Sequence, residues 1–229
     1  MHDCRRGSIA GGLLVAVLAA APLSGQTVLV GADNTNNCIP FSCGASYSFT
    51  DYQQVYAASA FGGLGGPVSI SALSFFGETS FGTGTASGGL FTVHLSTTSR
   101  AVGSLSASLA TNLGGNNALF GVFTLPTGAL SQFTLTGSPF LYDPTGGNLL
   151  MDATLSGGTN GSLVMQADGS GSVTSRKDDG LNTGDNIGLV TRFTYSRAGA
   201  TVTPEPATMT LMATGLAGMV GFARRRRRT

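Results

Sequence analysis

The chain has 229 residues, of which 35 are glycine, only 10% are charged, and the formal net charge is +1. Its middle section, residues 26–202, carries five basic and nine acidic side chains, so the small positive charge comes from the two ends. An acidic middle section excludes the basic surface that a nucleic-acid-binding domain needs, and its length suits one domain with a sizeable core.

The first 25 residues have the pattern of a secretory signal peptide with a short apolar helix. Arg5 and Arg6 form the basic n-region, residues 9–21 form the apolar h-region, and residues 22–25 form the small-residue segment before the cleavage site. We predict cleavage near Gly25 and Gln26, so that the exported domain covers residues 26–202.

Two cysteines remain in the exported section. Cys38 and Cys43 bracket four residues, and an oxidising compartment with an even cysteine count favours a disulfide that closes this small loop. Without a neighbouring histidine, the two thiols do not make a zinc site.

Short apolar stretches then recur, separated by turns rich in glycine, proline and asparagine. We predict strands over residues 27–32, 45–50, 53–57, 68–76, 90–96, 119–125, 130–136, 148–155, 162–167 and 188–196, with a short helical turn within 104–113. No repeat of fixed period is present, which excludes propellers and solenoids. The pattern predicts an all-β fold, an antiparallel β-sandwich of jelly-roll type, because the loops are longer than tight turns.

Alternation of side chains also assigns faces to the strand predicted over 68–76. Val68 and Ile70 share one face, while Leu73 and Phe75 lie on the opposite one.

The sequence gives little support for a catalytic function. His94 is the only histidine after the leader, and no G-x-S-x-G motif marks a nucleophilic serine. A glycoside hydrolase would have to use Glu78, Asp143 or Asp152. However, Glu78 lies in a predicted loop, Asp143 in a predicted turn and Asp152 on a predicted strand. We predict a protein that is not an enzyme, with glycan hydrolysis as the least favoured alternative.

Loop carboxylates are the candidate metal ligands. Asp168, Asp178, Asp179 and Asp185 offer hard oxygens that suit a structural calcium, although their spacing does not match a calcium-loop motif. The two basic residues directly before Asp178 indicate charge pairing on a solvated loop instead. We therefore assign no cofactor.

Carbohydrate binding, with the cell's own exopolysaccharide as partner, is the main alternative function. Sugar sites use aromatic platforms beside Asn and Asp, and β-sandwiches commonly host them. The sequence has no tryptophan, so the available platforms are Tyr47, Tyr52, Tyr56, Tyr142 and Tyr195.

The C-terminal tail has three parts. Pro204, Glu205 and Pro206 favour an extended segment. Residues 207–223 are uncharged, and a helix over them would be roughly 26 Å long, the low end for crossing a bilayer core of about 30 Å. Five arginines follow: Arg224, Arg225, Arg226, Arg227 and Arg228. Such a cluster stays in the cytoplasm, so the preceding domain should lie outside.

Residues 203–229 resemble the PEP-CTERM sorting signal of Gram-negative bacteria, although Thr203 stands where the family usually has valine. The resemblance implies recognition by exosortase, an integral-membrane cysteine protease that cleaves near the Pro-Glu-Pro. It also implies a membrane-held intermediate at the inner membrane, followed by transfer to the cell surface or extracellular matrix. A plain tail anchor, which needs no Pro-Glu-Pro, is the weaker alternative.

Overall fold

The structure is a computed structural model whose described part is almost entirely strand and loop. It describes residues 25–42, 49–78, 85–156, 161–180 and 185–198, together with Leu211, Thr214, Gly215 and Met219. Short 3-10 helices occur at Ala58–Leu64, Leu109–Asn112 and Pro144–Gly146. All named strand pairs are antiparallel, which confirms the predicted all-β, antiparallel class.

Fourteen strands follow one another in the described part. They are β1 (Gln26–Val30), β2 (Thr35–Asn37), β3 (Asp51–Tyr56), β4 (Val68–Phe76), β5 (Thr85–Ser87), β6 (Leu90–Thr98), β7 (Ala118–Thr124), β8 (Thr127–Ala129), β9 (Gln132–Tyr142), β10 (Asn148–Ser156), β11 (Met165–Asp168), β12 (Thr174–Asp178), β13 (Gly188–Leu189) and β14 (Thr191–Arg197).

Two sheets form the body of the domain. The four-stranded sheet has the order β1-β14-β4-β9 and the five-stranded sheet the order β12-β3-β10-β6-β7. Without β12, the eight remaining strands are divided between the sheets in the order of a jelly roll. Rings from the two sheets meet between them, since Tyr56 on β3 and Phe193 on β14 have centroids 4.9 Å apart. Smaller ribbons, β13-β11-β2 and β5-β8, flank this body.

A loop residue fills one part of the interior. Phe41, which follows β2, is fully buried, and its ring lies 4.8 Å from Phe75, 4.9 Å from Phe133 and 5.1 Å from Phe91. We call these four residues the Phe41 cluster. Because its members come from a loop and from strands of both sheets, the cluster ties the loop to the sandwich.

Cys38 lies three residues before Phe41 and is disulfide-bonded. Cys43, its predicted partner, lies outside the described residues, so the pairing stays a prediction. Within the bracketed segment, Ile39 and Phe41 are both buried.

The predicted faces of β4 are wrong in its second half. Leu73 and Phe75 are buried in the core together with Val68 and Ile70. The pairing of β4 with β14 shifts register here: Thr194 pairs with Ala72 but the next residue, Tyr195, pairs with Ile70, so Ser71 is an extra residue in β4. A bulge at this point adds a residue and reverses the alternation, so the later apolar side chains turn inward.

The predicted solvated loop around Arg176 is also wrong. These residues form β12, an edge strand paired with β3, and all five of its residues are buried. Arg176 pairs with Asp185 rather than with its chain neighbours: Nε donates to Oδ1 at 2.8 Å and Nη2 to Oδ2 at 2.5 Å.

Polar side chains next to this ion pair occupy the interior between β3 and β13. The Tyr52 hydroxyl donates to Gln54 Oε1 at 2.7 Å. Gln54 Nε2 donates to the Leu189 carbonyl, and the Leu189 amide donates back to Gln54 Oε1, each at 2.9 Å. We call Tyr52, Gln54, Arg176 and Asp185 the Arg176 cluster.

Candidate functional site

Strand register gathers four polar residues on the outer face of the five-stranded sheet. Lys177, Gln53, Asp152 and His94 are successive cross-strand partners on β12, β3, β10 and β6. Residues alternate between the faces of a strand, and the neighbours of Gln53 point into the core, so this polar row points outward. Gln53 Nε2 donates to Asp152 Oδ1 at 2.8 Å, which links the two central strands.

The connection between β6 and β7, residues 99–117, folds over this face, and we call it the strap. Asn112 Nδ2 donates to Gln53 Oε1 at 2.8 Å, and Gln53 Nε2 also donates to the Leu109 carbonyl at 3.1 Å. Nearer the sheet edge, the Gly103 amide donates to Ser175 Oγ at 2.7 Å. The strap therefore covers Lys177, Gln53 and Asp152, which are buried, and leaves His94 half-buried.

A second carboxyl group approaches the polar row. Asp51 lies two residues before Gln53 on the same face, and its side chain is within hydrogen-bonding reach of Asp152. Burial, followed by the charges of Asp152 and Asp179, raises the pKa of Asp51 to about 7. Near neutral pH the Asp51 carboxyl is therefore partly protonated.

The four described tyrosines that were available as sugar platforms do not form one. Tyr52, Tyr56, Tyr142 and Tyr195 are all buried. The Tyr56 hydroxyl hydrogen-bonds to Thr191 Oγ1 at 2.8 Å and the Tyr142 hydroxyl donates to the Gly147 carbonyl at 2.9 Å. Tyr47 lies outside the described residues. The four described rings pack in the core and therefore cannot serve as platforms.

The three carboxylates considered for glycan hydrolysis lie far apart. Asp143 follows the end of β9 that pairs with the start of β4, whereas Glu78 follows the end of β4. A nine-residue strand separates these ends by about 30 Å. Asp152 lies on the other sheet, on its outer face. These three residues therefore do not converge on one site.

The four candidate metal ligands belong to separate hydrogen-bond systems. Asp168 accepts from the Ala32 amide at 3.0 Å and the Ser170 amide at 2.8 Å. Although burial opposes it, hydrogen bonds from Ser170, Ala32 and Asn34 lower the pKa of Asp168. Its carboxylate thus joins the turn after β1 to the turn after β11.

The other three carboxylates hold different parts of the chain. Asp179 accepts from the Thr50 amide and hydroxyl at 2.8 and 2.6 Å, Asp178 from the Gly180 amide at 3.1 Å, and Asp185 binds Arg176. Within the described ranges, no group of three or more His, Cys, Asp or Glu side chains could hold a metal ion. A structural calcium remains a prediction from sequence.

The two ends of the domain emerge side by side. Gln26, the first residue of β1, is the cross-strand partner of Tyr195 on β14. Just beyond β14, the Ala198 amide donates to the Pro67 carbonyl at 3.1 Å. The predicted leader junction and the beginning of the tail therefore lie at the same end of the four-stranded sheet, which we call the junction end.

The predicted sorting residues, Pro204, Glu205, Pro206 and the arginines of 224–228, lie outside the described residues. Within 207–223, the described residues Leu211, Thr214, Gly215 and Met219 are helical. Among the residues that the structure describes, no helix has the length and apolarity needed to cross a bilayer.

Comparison with known proteins identifies one segment. The model of the PEP-CTERM protein-sorting motif matches residues 202–228, which confirms the recognition made from the sequence. Neither the curated proteins nor the solved structures give a match. The matched motif marks an exported, exosortase-processed protein destined for the cell surface.

Proposed function

We propose that this protein is a structural or interaction component of the cell surface or extracellular matrix and has no enzymatic activity. The observation that carries the proposal is the sorting motif at 202–228, placed directly after a domain whose last strand ends at Arg197. A domain that is complete before the motif can keep its fold when the motif is removed.

The proposed route begins with cleavage of the leader, residues 1–25, after export. The helix over 207–223 then holds the domain outside the inner membrane, with Arg224 and the following arginines in the cytoplasm. Exosortase cuts near Pro204–Pro206 and releases the domain to the surface. A short helix suits this route because it has to hold the chain only until it is cut.

A non-enzymatic role agrees with how the domain uses its polar groups. Gln53 and Asn112 bond to each other across the strap, and Asp168 and Asp179 bond to backbone amides of neighbouring turns. Such hydrogen bonds stabilise the fold, and they use these polar groups for contacts within the protein itself.

Replacing Pro204, Glu205 and Pro206 with alanine in the full chain tests the proposal. In cells that contain exosortase, we expect the unchanged protein to be cut and recovered at the surface. The triple variant should stay full-length in the membrane fraction. A matched control replaces three threonines of the same tail with alanine and should be cut normally: Thr208, Thr210 and Thr214. Normal cutting of the Pro-Glu-Pro variant would refute the proposed route.

Exopolysaccharide binding is the second candidate. It is favoured by the end of the polar row at His94, which the strap does not cover. His94 is half-buried next to Thr92 and the exposed Thr154, and these polar groups could bond to sugar hydroxyls without aromatic stacking. Affinity electrophoresis of the mature protein in gels containing the cell's own polymer tests this candidate. Retardation that His94→Ala abolishes would support it, and equal mobility with and without polymer would remove it.

A further inference from the structure

The last strand of the domain is held firmly up to the residue where the tail begins. β14 pairs with β1 on one side and with β4 on the other, and its pairing with β4 extends to Arg197 and Val68. The hydrogen bond from the Ala198 amide to Pro67 adds one more fixed residue. Up to Tyr195, β14 cannot peel away without breaking two ladders, and its last residues are held by β4 and Pro67, so the tail effectively starts at residue 199.

Only a short stretch of chain separates this fixed point from the sorting motif. Five residues lie between Ala198 and Pro204, so the two positions are six Cα steps apart. Fully extended, six steps span at most about 21 Å. Whatever binds Pro204–Pro206 must therefore come within about 21 Å of the folded domain.

The junction end presents little that would obstruct such an approach. Before Pro67 the chain makes a glycine turn, and a side chain added at Gly62, Gly63, Gly65 or Gly66 would meet no atom within 4 Å. The positive φ angles of Gly65 and Gly66, 76° and 144°, suit glycine in this turn. The glycine turn next to the tail thus presents no side chain that would obstruct an approach.

We propose that the junction end lies against exosortase while the Pro-Glu-Pro is bound, and that residues 199–203 set how closely the folded domain can approach the protease. This inference rests on the proposed processing. It adds that cleavage depends on the length of the chain between β14 and the motif, and that the domain is folded when it is cut.

Deleting Gly199, Ala200 and Thr201 from the full chain tests the inference, because the matched motif at 202–228 stays intact. The maximum distance between Ala198 and Pro204 then falls to about 10 Å. This is too short for a protease to bind the motif next to a folded domain. We expect the cleaved form to be lost in cells that contain exosortase. Deleting one residue or two should give intermediate losses.

Two further variants distinguish length from sequence. Replacing the same three residues with Ser-Gly-Ser keeps the length and should be cut like the unchanged chain. Adding six Gly and Ser residues to the three-residue deletion should restore cutting. Resistance of residues 26–198 to added trypsin shows that each variant is folded.

The outcomes separate the two proposals. Normal cutting of the folded three-residue deletion would overturn the inference and leave the proposed function standing. Loss of cutting in the Ser-Gly-Ser variant would also overturn it, because sequence rather than length would then matter. If the unchanged chain is not cut at all, the proposed function fails, and this inference fails with it.

Discussion

The Phe41 cluster and the Arg176 cluster fill the same interior in opposite ways. In the first, one ring from a loop touches three rings from both sheets. In the second, an ion pair and a glutamine make directed bonds next to a buried tyrosine. The apolar cluster needs only shape and volume, whereas each polar group needs its particular partner.

This difference has consequences for stability. Apolar packing is insensitive to pH and to moderate salt, because no charge is involved. The ion pair is stabilising only while both partners are present, since removing one leaves a buried charge without compensation. Substitutions in the two clusters and in the polar row should therefore differ in size and in their dependence on solution conditions.

Phe41→Ala should have the largest effect. Truncating a fully buried phenylalanine typically lowers the free energy of unfolding by about 3–5 kcal/mol, and the cavity would lie between the two sheets. Urea denaturation of the mature protein at two pH values measures the loss, which should be the same at both. The control Leu141→Ala, at a position 61% exposed, should change stability by less than about 0.5 kcal/mol.

Arg176→Ala should cost less, about 2–3 kcal/mol, because the Asp185 side chain it leaves behind is 33% exposed and can be hydrated in part. Denaturation of the two single variants and of the double variant with Asp185→Asn gives the coupling between the partners. Additive effects would show that the pair does not act as a unit. Arg197→Ala, at an exposed position, is the matched control.

Asn112→Ala should lower stability by about 1–3 kcal/mol, because it removes a fully buried amide that joins the strap to the sheet. Besides its bond to Gln53, Asn112 accepts from the Ser106 amide at 2.8 Å. Amide hydrogen exchange in 99–117 should also become faster. Asn116→Ala removes a similar but exposed set of bonds to Thr97 and should have a smaller effect.

Asp51→Asn should have the smallest effect and the clearest pH dependence. The pKa of Asp51 is raised from an ordinary value of 3.8 to about 7, so between these pH values the folded protein binds more protons than the unfolded chain. Stability contributed by Asp51 therefore falls as the pH rises through this window. The variant should be more stable than the unchanged protein at pH 8, by about 1 kcal/mol because water screens a half-buried carboxyl.

At pH 4 the advantage of Asp51→Asn should disappear, since the unchanged carboxyl is then largely protonated in the folded protein. Thermal unfolding from pH 4 to pH 8 measures the difference. A constant difference across this range would contradict the raised pKa of Asp51. The loss of stability caused by Phe41→Ala should not change over the same pH range, which sharpens the comparison.

Much of the strand pattern could be predicted from the sequence. The bounds of β4 are those predicted, and β6 includes the strand predicted over 90–96. The bulge in β4 could not be predicted, because alternation carries no information on where a partner strand shifts register. β12 was missed since its charged sequence, TSRKD, is typical of a loop and becomes a strand only through pairing with β3.

The candidate sites divide in the same way. The sorting motif lies in consecutive residues, so the sequence shows it directly. The polar row joins four separate strands, and only the register of β12, β3, β10 and β6 brings its members together. The tyrosines show the same difference: composition shows that rings are present, but only packing shows that Tyr56 and Tyr142 face the core.

The neighbouring positions of β1 and β14 have one more consequence, for the time during which the chain crosses the membrane. β1 emerges early, but the strand that joins it to β4 is made of residues 191–197. Until those residues have crossed, β1 and β4 both present unpaired edges, which are prone to aggregation and cleavage. A stalled chain therefore keeps those edges exposed, whereas a fully translocated one can close its sheet and hide them.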